Sequence, residues 1–396
     1  MKVVVITHNY IRRQGDLTAL YLHRLSSGLV NKGVNIVVVC PHAPGLLREE
    51  VIDGVTIRRF PYMLSRLKSI AYTGSMHEEV AGSFLAKMVF ADFLWAFYRA
   101  AISACKREKA DLVWANWWIP PGLVAARIAE KLRRPLVISS HGTDISLLGR
   151  KGIVSTLSRY VYRRTSIATV VSSFLKQRLL HNVTVMSESQ VAVIPMPVGM
   201  EYFLKTDPPD NQIPMILSVA RYTRQKRLDD LINAAARLAA DRIRFKIQMV
   251  GEGPLEDELK AMVTEKGLAD RIDFVPLVAQ QKLGELYRRS DVVVLASEGE
   301  GFGLVLVEAG LTGRPVIAAR SGGITDIVED GVNGLFFEVG DIESLAAKLK
   351  AIFADRSLRT RLGEGGHRRA MERFATPVLV DRVYEVFTSL VGQDRV

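Results

Sequence analysis

Short runs of β-branched and other apolar residues alternate along the chain with longer stretches in which apolar positions recur every three or four residues. Val3–Thr7, Ile36–Cys40, Leu112–Ala115, Leu136–Ser140, Ala168–Val171 and Val191–Ile194 have the first pattern, and Leu17–Asn31 and Gly122–Leu132 the second. Continuously apolar strands separated by helices predict a parallel sheet covered on both faces. A polar, proline-rich stretch, Leu204–Pro214 (LKTDPPDNQIP), then interrupts the alternation and reads as a linker. After it the pattern restarts, with strands at Met215–Val219, Lys246–Val250, Ile272–Val275, Val292–Ala296 and Val316–Ala319. The prediction is an α/β chain of two doubly wound, Rossmann-like domains, 1–204 and 205–376. In such sheets ligands sit at the carboxyl ends of the strands, and the cleft between two domains is the expected active site. A last amphipathic pattern, Pro377–Leu390, predicts a helix whose docking partner periodicity does not identify.

The longest apolar window, Phe84–Ala104, is interrupted by Lys87, Asp92 and Arg99. Charges near the centre of a membrane span are costly, so it reads as a buried or interfacial helix. The chain opens directly on a strand pattern and lacks the apolar stretch and cleavage site of a signal peptide. Two cysteines, Cys40 and Cys105, form neither a metal-binding spacing nor a disulfide framework, which fits a reducing cytoplasm. The net charge is +11, unevenly placed: residues 1–200 hold 26 Lys and Arg against 12 Asp and Glu, and residues 201–396 hold 27 against 30. A one-sided basic field points to an acidic partner such as nucleic acid, anionic lipid headgroups or a phosphorylated substrate, or else to a merely solvated surface.

The chemistry-bearing residues cluster after strands. Glu300 follows the strand Val292–Ala296 in a glycine-rich bend, EGEGFG, and a helix start near Leu304 presents free N–H groups suited to an anion. Gly301 and Gly303 allow close backbone approach. Glu308, one helical turn into an apolar run, can accept hydrogen bonds from a vicinal diol, as acidic residues do for ribose in dinucleotide folds. The alternative is structural: Glu300 capping the helix and Glu308 paired with an arginine. Arg221 and Lys226 follow the strand Met215–Val219 and can hold a diphosphate, stabilising it as a leaving group without a metal. Arg224 and Arg227 lie beside them, and the whole turn also reads as a solvated basic loop. His141 follows the strand Leu136–Ser140 in HGTD, and Gly15 follows the first strand.

With these residues in place the sequence resembles the GT-B glycosyltransferases, and within them the retaining family four. The resemblance spans nearly the whole chain. It rests on EGFGLVLVE (Glu300–Glu308), GRPVIAARSGG, DGVNGLFF, the pair Arg221 and Lys226, DGVTIRRFP and HGTD. It implies a GT-B fold of two Rossmann-like domains facing a central cleft, with acceptor bound by 1–204, nucleotide sugar by 205–376, and the helix 377–396 packed back on the first domain. It implies that Glu300 orients the donor sugar, Glu308 binds its ribose, and Arg221 and Lys226 grip the diphosphate. Backbone amides of Phe302, Gly303 and Leu304 would contact sugar or phosphate, His141 the donor sugar, and Gly15 the phosphates and acceptor. The chain departs from the usual pattern at Gln14-Gly15-Asp16, at Asn116 in WANWW, at Arg227, where a glycine usually follows the lysine, and at Met196-Pro197.

The resulting expectation is a retaining, metal-independent hexosyltransferase, with a nucleotide-diphosphate sugar as co-substrate and no cofactor. Its acceptor is a glycan, a glycolipid or another acceptor, lipid-linked ones included. The segment Tyr62–Tyr72, mixing Arg66 and Lys68 with apolar residues, suits an anionic membrane surface that brings a lipid-linked acceptor to the cleft, or else is an ordinary loop and helix. The expected location is the cytoplasm, peripheral at the inner face of the membrane. A nucleotide-sugar epimerase or phosphorylase of the same fold is the competing enzyme. A basic nucleic-acid-binding protein is the competing class, with no nucleic-acid motif in its favour.

Overall fold

The computed structural model describes residues 1–14, 16, 18–62 and 84–392. Gly15, and residues 63–72 of the segment expected at a membrane surface, lie outside the described residues. The chain forms two units, Met1–Pro197 with Leu379–Val396, and Val198–Val378.

The first unit is built on eight strands: β1 (Lys2–Ile6), β2 (Asn35–Pro41), β3 (Glu49–Ile52), β4 (Val55–Phe60), β5 (Leu112–Asn116), β6 (Leu136–Ser140), β7 (Ile167–Val170) and β8 (Val191–Val193). Their order is β3-β4-β2-β1-β5-β6-β7-β8, so strand order reverses between β1 and β5. All pairs are parallel except β3 with β4, a hairpin closed by Asp53 and Gly54 at φ 48° and 78°. Two positive φ angles are what a tight hairpin turn demands, and Asp-Gly is a pair that adopts them readily. Neither β3 nor β4 appears among the predicted strands. β3 is four residues long and begins with two glutamates at an exposed edge, so its pattern carries little apolar signal.

The helix Phe84–Glu108 buries Val89, Phe93, Phe97, Ala101 and Cys105, one face at the 3.6-residue period. Phe97 stacks on Phe60 of β4 at 4.7 Å. Its other face leaves Met88 and Trp95 49% and 58% exposed, with the Arg99 guanidinium 4.7 Å from the Trp95 ring. It is the one helix among the described residues long and apolar enough to cross a membrane, and it is docked along one face. The last helix, Thr376–Val391, belongs to the first unit from Leu379 onward. Val380 packs where Gly28 has no side chain, Phe387 meets Trp114 edge-on at 5.3 Å, and Arg382 donates to the Val193 carbonyl at 2.6 Å.

The second unit holds β9 (Met215–Val219), β10 (Lys246–Val250), β11 (Ile272–Val275), β12 (Val292–Leu295), β13 (Val316–Ala319) and β14 (Gly334–Phe337). The order is β11-β10-β9-β12-β13-β14, parallel throughout. This is the doubly wound order, with its switch point between β9 and β12. The stretch Leu204–Pro214 is tied down rather than free. The buried Arg314 guanidinium donates to the Thr206 and Asp207 carbonyls at 2.7 and 2.8 Å, and Asn211 donates to the Asp291 carboxylate at 2.7 Å. Burial lowers the Arg314 pKa to about 10. The boundary between the units accordingly falls ahead of this stretch, at Pro197 and Val198.

Candidate functional site

On the second unit, the loops leaving β9 and β12 meet at the switch point. The β9 loop ends in a single tight turn, Arg224–Lys226, and the β12 loop runs to the helix Leu304–Leu311. Lys226 Nζ donates to Glu300 Oε2 at 2.5 Å, joining residues 74 positions apart. Two more bonds stitch the loops: Glu298 N–H to the Gln225 carbonyl at 2.8 Å, and Gln225 Nε2 to the Gly299 carbonyl at 3.1 Å. Arg221 is exposed nearby in sequence. Glu300 does not cap the helix, whose N-terminus at Gly303 carries no side-chain cap. Its carboxylate is committed to Lys226 instead.

Neighbouring glycines set the height of both loops. Gly322, after β13, sits at φ 57° against the Glu300 backbone; a Cβ there would collide with the Glu300 carbonyl and lie 2.8 Å from its nitrogen. The Gly323 N–H donates to the Glu300 carbonyl at 2.7 Å. On the other side, a Cβ on Gly253 would lie 2.5 Å from the Tyr222 carbonyl oxygen. These contacts give the Ser-Gly-Gly of GRPVIAARSGG and the glycines after β10 one task, holding the site loops in place.

Glu308 is buried, and its Oε2 accepts from the Tyr287 hydroxyl at 2.8 Å. Burial first, then the negative Glu308 that its hydroxyl bonds, raises the Tyr287 pKa well above its usual value. The tyrosine therefore stays a donor that orients the carboxylate. Phe302 turns its ring into the core against Phe374 at 5.7 Å, so only its backbone is left for a ligand. Gly303 at φ 101° opens the helix at Leu304, and no side chain caps this N-terminus. Among the described residues no group of three or more His, Cys, Asp or Glu side chains is placed to hold a metal ion.

His141 stands on the first unit, directly after β6, among a different set of neighbours. Its Nε2 lies 3.1 Å from Asn116 Oδ1, at the end of β5, and its ring is 4.7 Å from that of Tyr21. Asp144, fully buried, accepts the N–H groups of His141 and Gly142 at 3.0 and 3.1 Å, which explains the last residue of HGTD. His8, after β1, meets Trp117 edge-on at 4.8 Å. Burial drives the His141 pKa down to about 3. Burial, then the neighbouring His141, brings that of His8 to about 4. Both rings are neutral at pH 7.

Tyr287 and His8 lie outside the motifs picked out in the sequence, while Asp144 and Gly322 lie inside HGTD and GRPVIAARSGG with no role of their own assigned there. The usable signal was position: His8 follows β1 and Asn116 ends β5, the two strands flanking the switch point of the first sheet, where ligands are expected.

The topology and site loops define a GT-B fold, and solved structures share it. A sucrose-phosphate synthase from Thermosynechococcus elongatus superimposes with a TM-score of 0.76 at 20% identity, over 99% of each chain. Anabaena HepE, solved in complex with UDP, superimposes with a TM-score of 0.73 at 20% identity, over 98% of this chain and all of that one. Residues 204–369 match the family Glycosyl transferases group 1, and residues 18–202 match Glycosyltransferase Family 4. The N-acetyl-alpha-D-glucosaminyl L-malate synthase of Bacillus anthracis is 26% identical over 302 residues, 73% of this chain and 77% of that protein. The chain belongs to the glycosyl transferases group 1 family and is a glycosyltransferase.

Proposed function

We propose that this enzyme transfers a hexosyl unit, with retention, from a nucleoside-diphosphate sugar to a glycan or lipid-linked acceptor. One observation carries the reading: strand order at β9 and β12 brings Lys226 and Glu300 together, a cation for a departing diphosphate and a carboxylate for sugar hydroxyls. Glu308, oriented by Tyr287, takes the ribose diol. Arg221, and the backbone of Phe302, Gly303 and Leu304, line the phosphate side. His141, neutral, offers the sugar a hydrogen bond rather than a charge. Support for a nucleotide donor also comes from HepE, whose structures hold UDP and UDP-glucose.

In this reading the acceptor hydroxyl attacks the anomeric carbon from the face the diphosphate leaves, and the leaving phosphate oxygen takes its proton. The barrier falls because Lys226 and Arg221 stabilise the negative charge that grows on the diphosphate. Lys226→Ala is expected to lower kcat by roughly a hundredfold or more, with the fold intact. Turnover within a few-fold of wild type would overturn the assignment of that role. Retention is read from the anomeric configuration of the product by NMR.

The finer reading places this work in the cytoplasm, at an anionic membrane surface. Met88 and Trp95 are exposed on the helix Phe84–Glu108, whose exposed charged residues, Lys87, Arg99, Lys106 and Arg107, are all basic. A groove of about 390 Å³ adjoins them, lined by Leu94, Tyr98, Leu123, Arg127, Leu157 and Tyr160. An apolar strip with a basic border suits a surface of acidic headgroups.

A further inference from the structure

Arg227 occupies a backbone position that an arginine adopts at a cost. It lies at φ 47°, ψ 44°, the left-handed turn that links the Arg224–Lys226 turn to the helix Leu228–Ala240. A residue with a side chain gives up about 1 kcal/mol or more there relative to glycine. The side chain offsets this with a network. Its Nε and Nη2 donate to the two oxygens of Asp230 at 2.6 and 3.0 Å, a fork that satisfies a carboxylate only 3% exposed. Its Nη1 reaches Glu298 Oε2 at 3.4 Å.

Glu298 starts the loop that delivers Glu300, and Arg227 is the next residue after Lys226. The same guanidinium therefore spans the helix after one site loop and the root of the other. A guanidinium already forked on one carboxylate and facing a second has its charge locally matched. It is a poor candidate for gripping a diphosphate directly, and a good one for holding two loops in register.

We propose that Arg227 is a positioning residue: by clamping Asp230 to Glu298 it fixes the distance between Lys226 and Glu300, and so acts on the chemical step rather than on nucleotide binding. The inference rests on the reading of Lys226 and Glu300 given above. A misplacement of about 1 Å at such a pair costs up to a hundredfold in rate.

The test compares wild type, Arg227→Gly, and the double variant Arg227→Gly with Asp230→Asn. Glycine relieves the left-handed strain, and the asparagine removes the buried charge that would otherwise be left without its fork. The double variant thus keeps the comparison usable if the single one folds poorly. The expected result is kcat for sugar transfer lowered about tenfold or more. The Kd of the nucleoside diphosphate and the donor KM stay within about twofold. A crystal structure of the double variant then shows Lys226 and Glu300 parted. Loss of nucleotide affinity in place of kcat overturns the proposal in favour of direct phosphate contact. An unchanged kcat overturns it, and so does an intact Lys226–Glu300 pair. If wild type turns over no nucleotide sugar, the functional reading fails on its own, and the crystal structure still decides whether Arg227 holds the pair.

Discussion

His8 and His141 illustrate what burial does to a titratable side chain. Each is held neutral in the fold, with pKa values near 4 and 3, while an exposed imidazole titrates near pH 6.5. As pH falls from about 6.5 toward 4, the unfolded chain binds protons that the folded chain does not. Stability is therefore full above pH 6.5 and declines below it, by up to about 1.4 kcal/mol per pH unit for each histidine. Asp144 works in the other direction. Burial raises its pKa, so the folded chain holds that proton at a pH where the unfolded chain has released it, which offsets part of the loss at the acid end. The urea midpoint is expected to fall between pH 7 and pH 4.5, and His8→Gln is expected to flatten that dependence. A profile that stays level in wild type would show that His8 is solvated in the folded state. The same balance limits the chemistry available at His141: a neutral ring meets a ligand as a hydrogen-bond donor or acceptor and not as a cation.

At the scale of elements, the two loops of the second unit are rigid because other loops leave them no room. Gly322→Ala places a methyl group on the Glu300 backbone, which is not free to move without carrying its carboxylate away from Lys226. The expected result is roughly tenfold or greater loss of kcat, with destabilisation of about 1–3 kcal/mol. Gly299→Ala, with open space around its Cβ position, is the control for the bend itself. Equal effects from the two would mean that backbone freedom matters and the buttress does not. This contrast also shows what could be read from sequence. The strand, the glycine-rich bend and the helix start around Glu300 were legible, because the apolar period changes there and glycines mark the change. The pairing with Lys226 was not, since it depends on β9 and β12 becoming neighbours across 74 positions. The conformation of Arg227 was also invisible: nothing in a string of basic residues says which one takes the left-handed turn. The β3–β4 hairpin and β14 escaped for a simpler reason: β3 and β4 carry Glu49, Glu50, Arg58 and Arg59, and β14 opens on Gly334 straight out of a polar turn, so none offers the continuous β-branched run that marks the other strands.

At the scale of the whole molecule, the positive charge sits in residues 1–200 while the rest of the chain is slightly acidic. A uniform solubilising charge has no reason to divide this way. On the first unit Lys87, Arg99, Lys106 and Arg107 share the helix Phe84–Glu108 with the exposed Met88 and Trp95, and Ile153 is 74% exposed at the start of the helix Ile153–Tyr162. Each lysine or arginine close to an acidic bilayer contributes about 1 kcal/mol, and a half-exposed tryptophan moved out of water about 2 kcal/mol. Neither suffices alone, and together they predict salt-sensitive, reversible binding. The protein is expected to co-sediment with phosphatidylglycerol vesicles at low salt, to leave them as ionic strength rises, and to bind phosphatidylcholine vesicles weakly. Trp95→Ser is expected to weaken binding roughly 30-fold without changing transfer to a soluble acceptor. Its wild-type counterpart should show a tryptophan emission shift on vesicle addition. Equal affinity for neutral and acidic vesicles would remove the electrostatic argument. Concentration-dependent dimerisation abolished by Trp95→Ser would instead assign this face to a second copy of the chain.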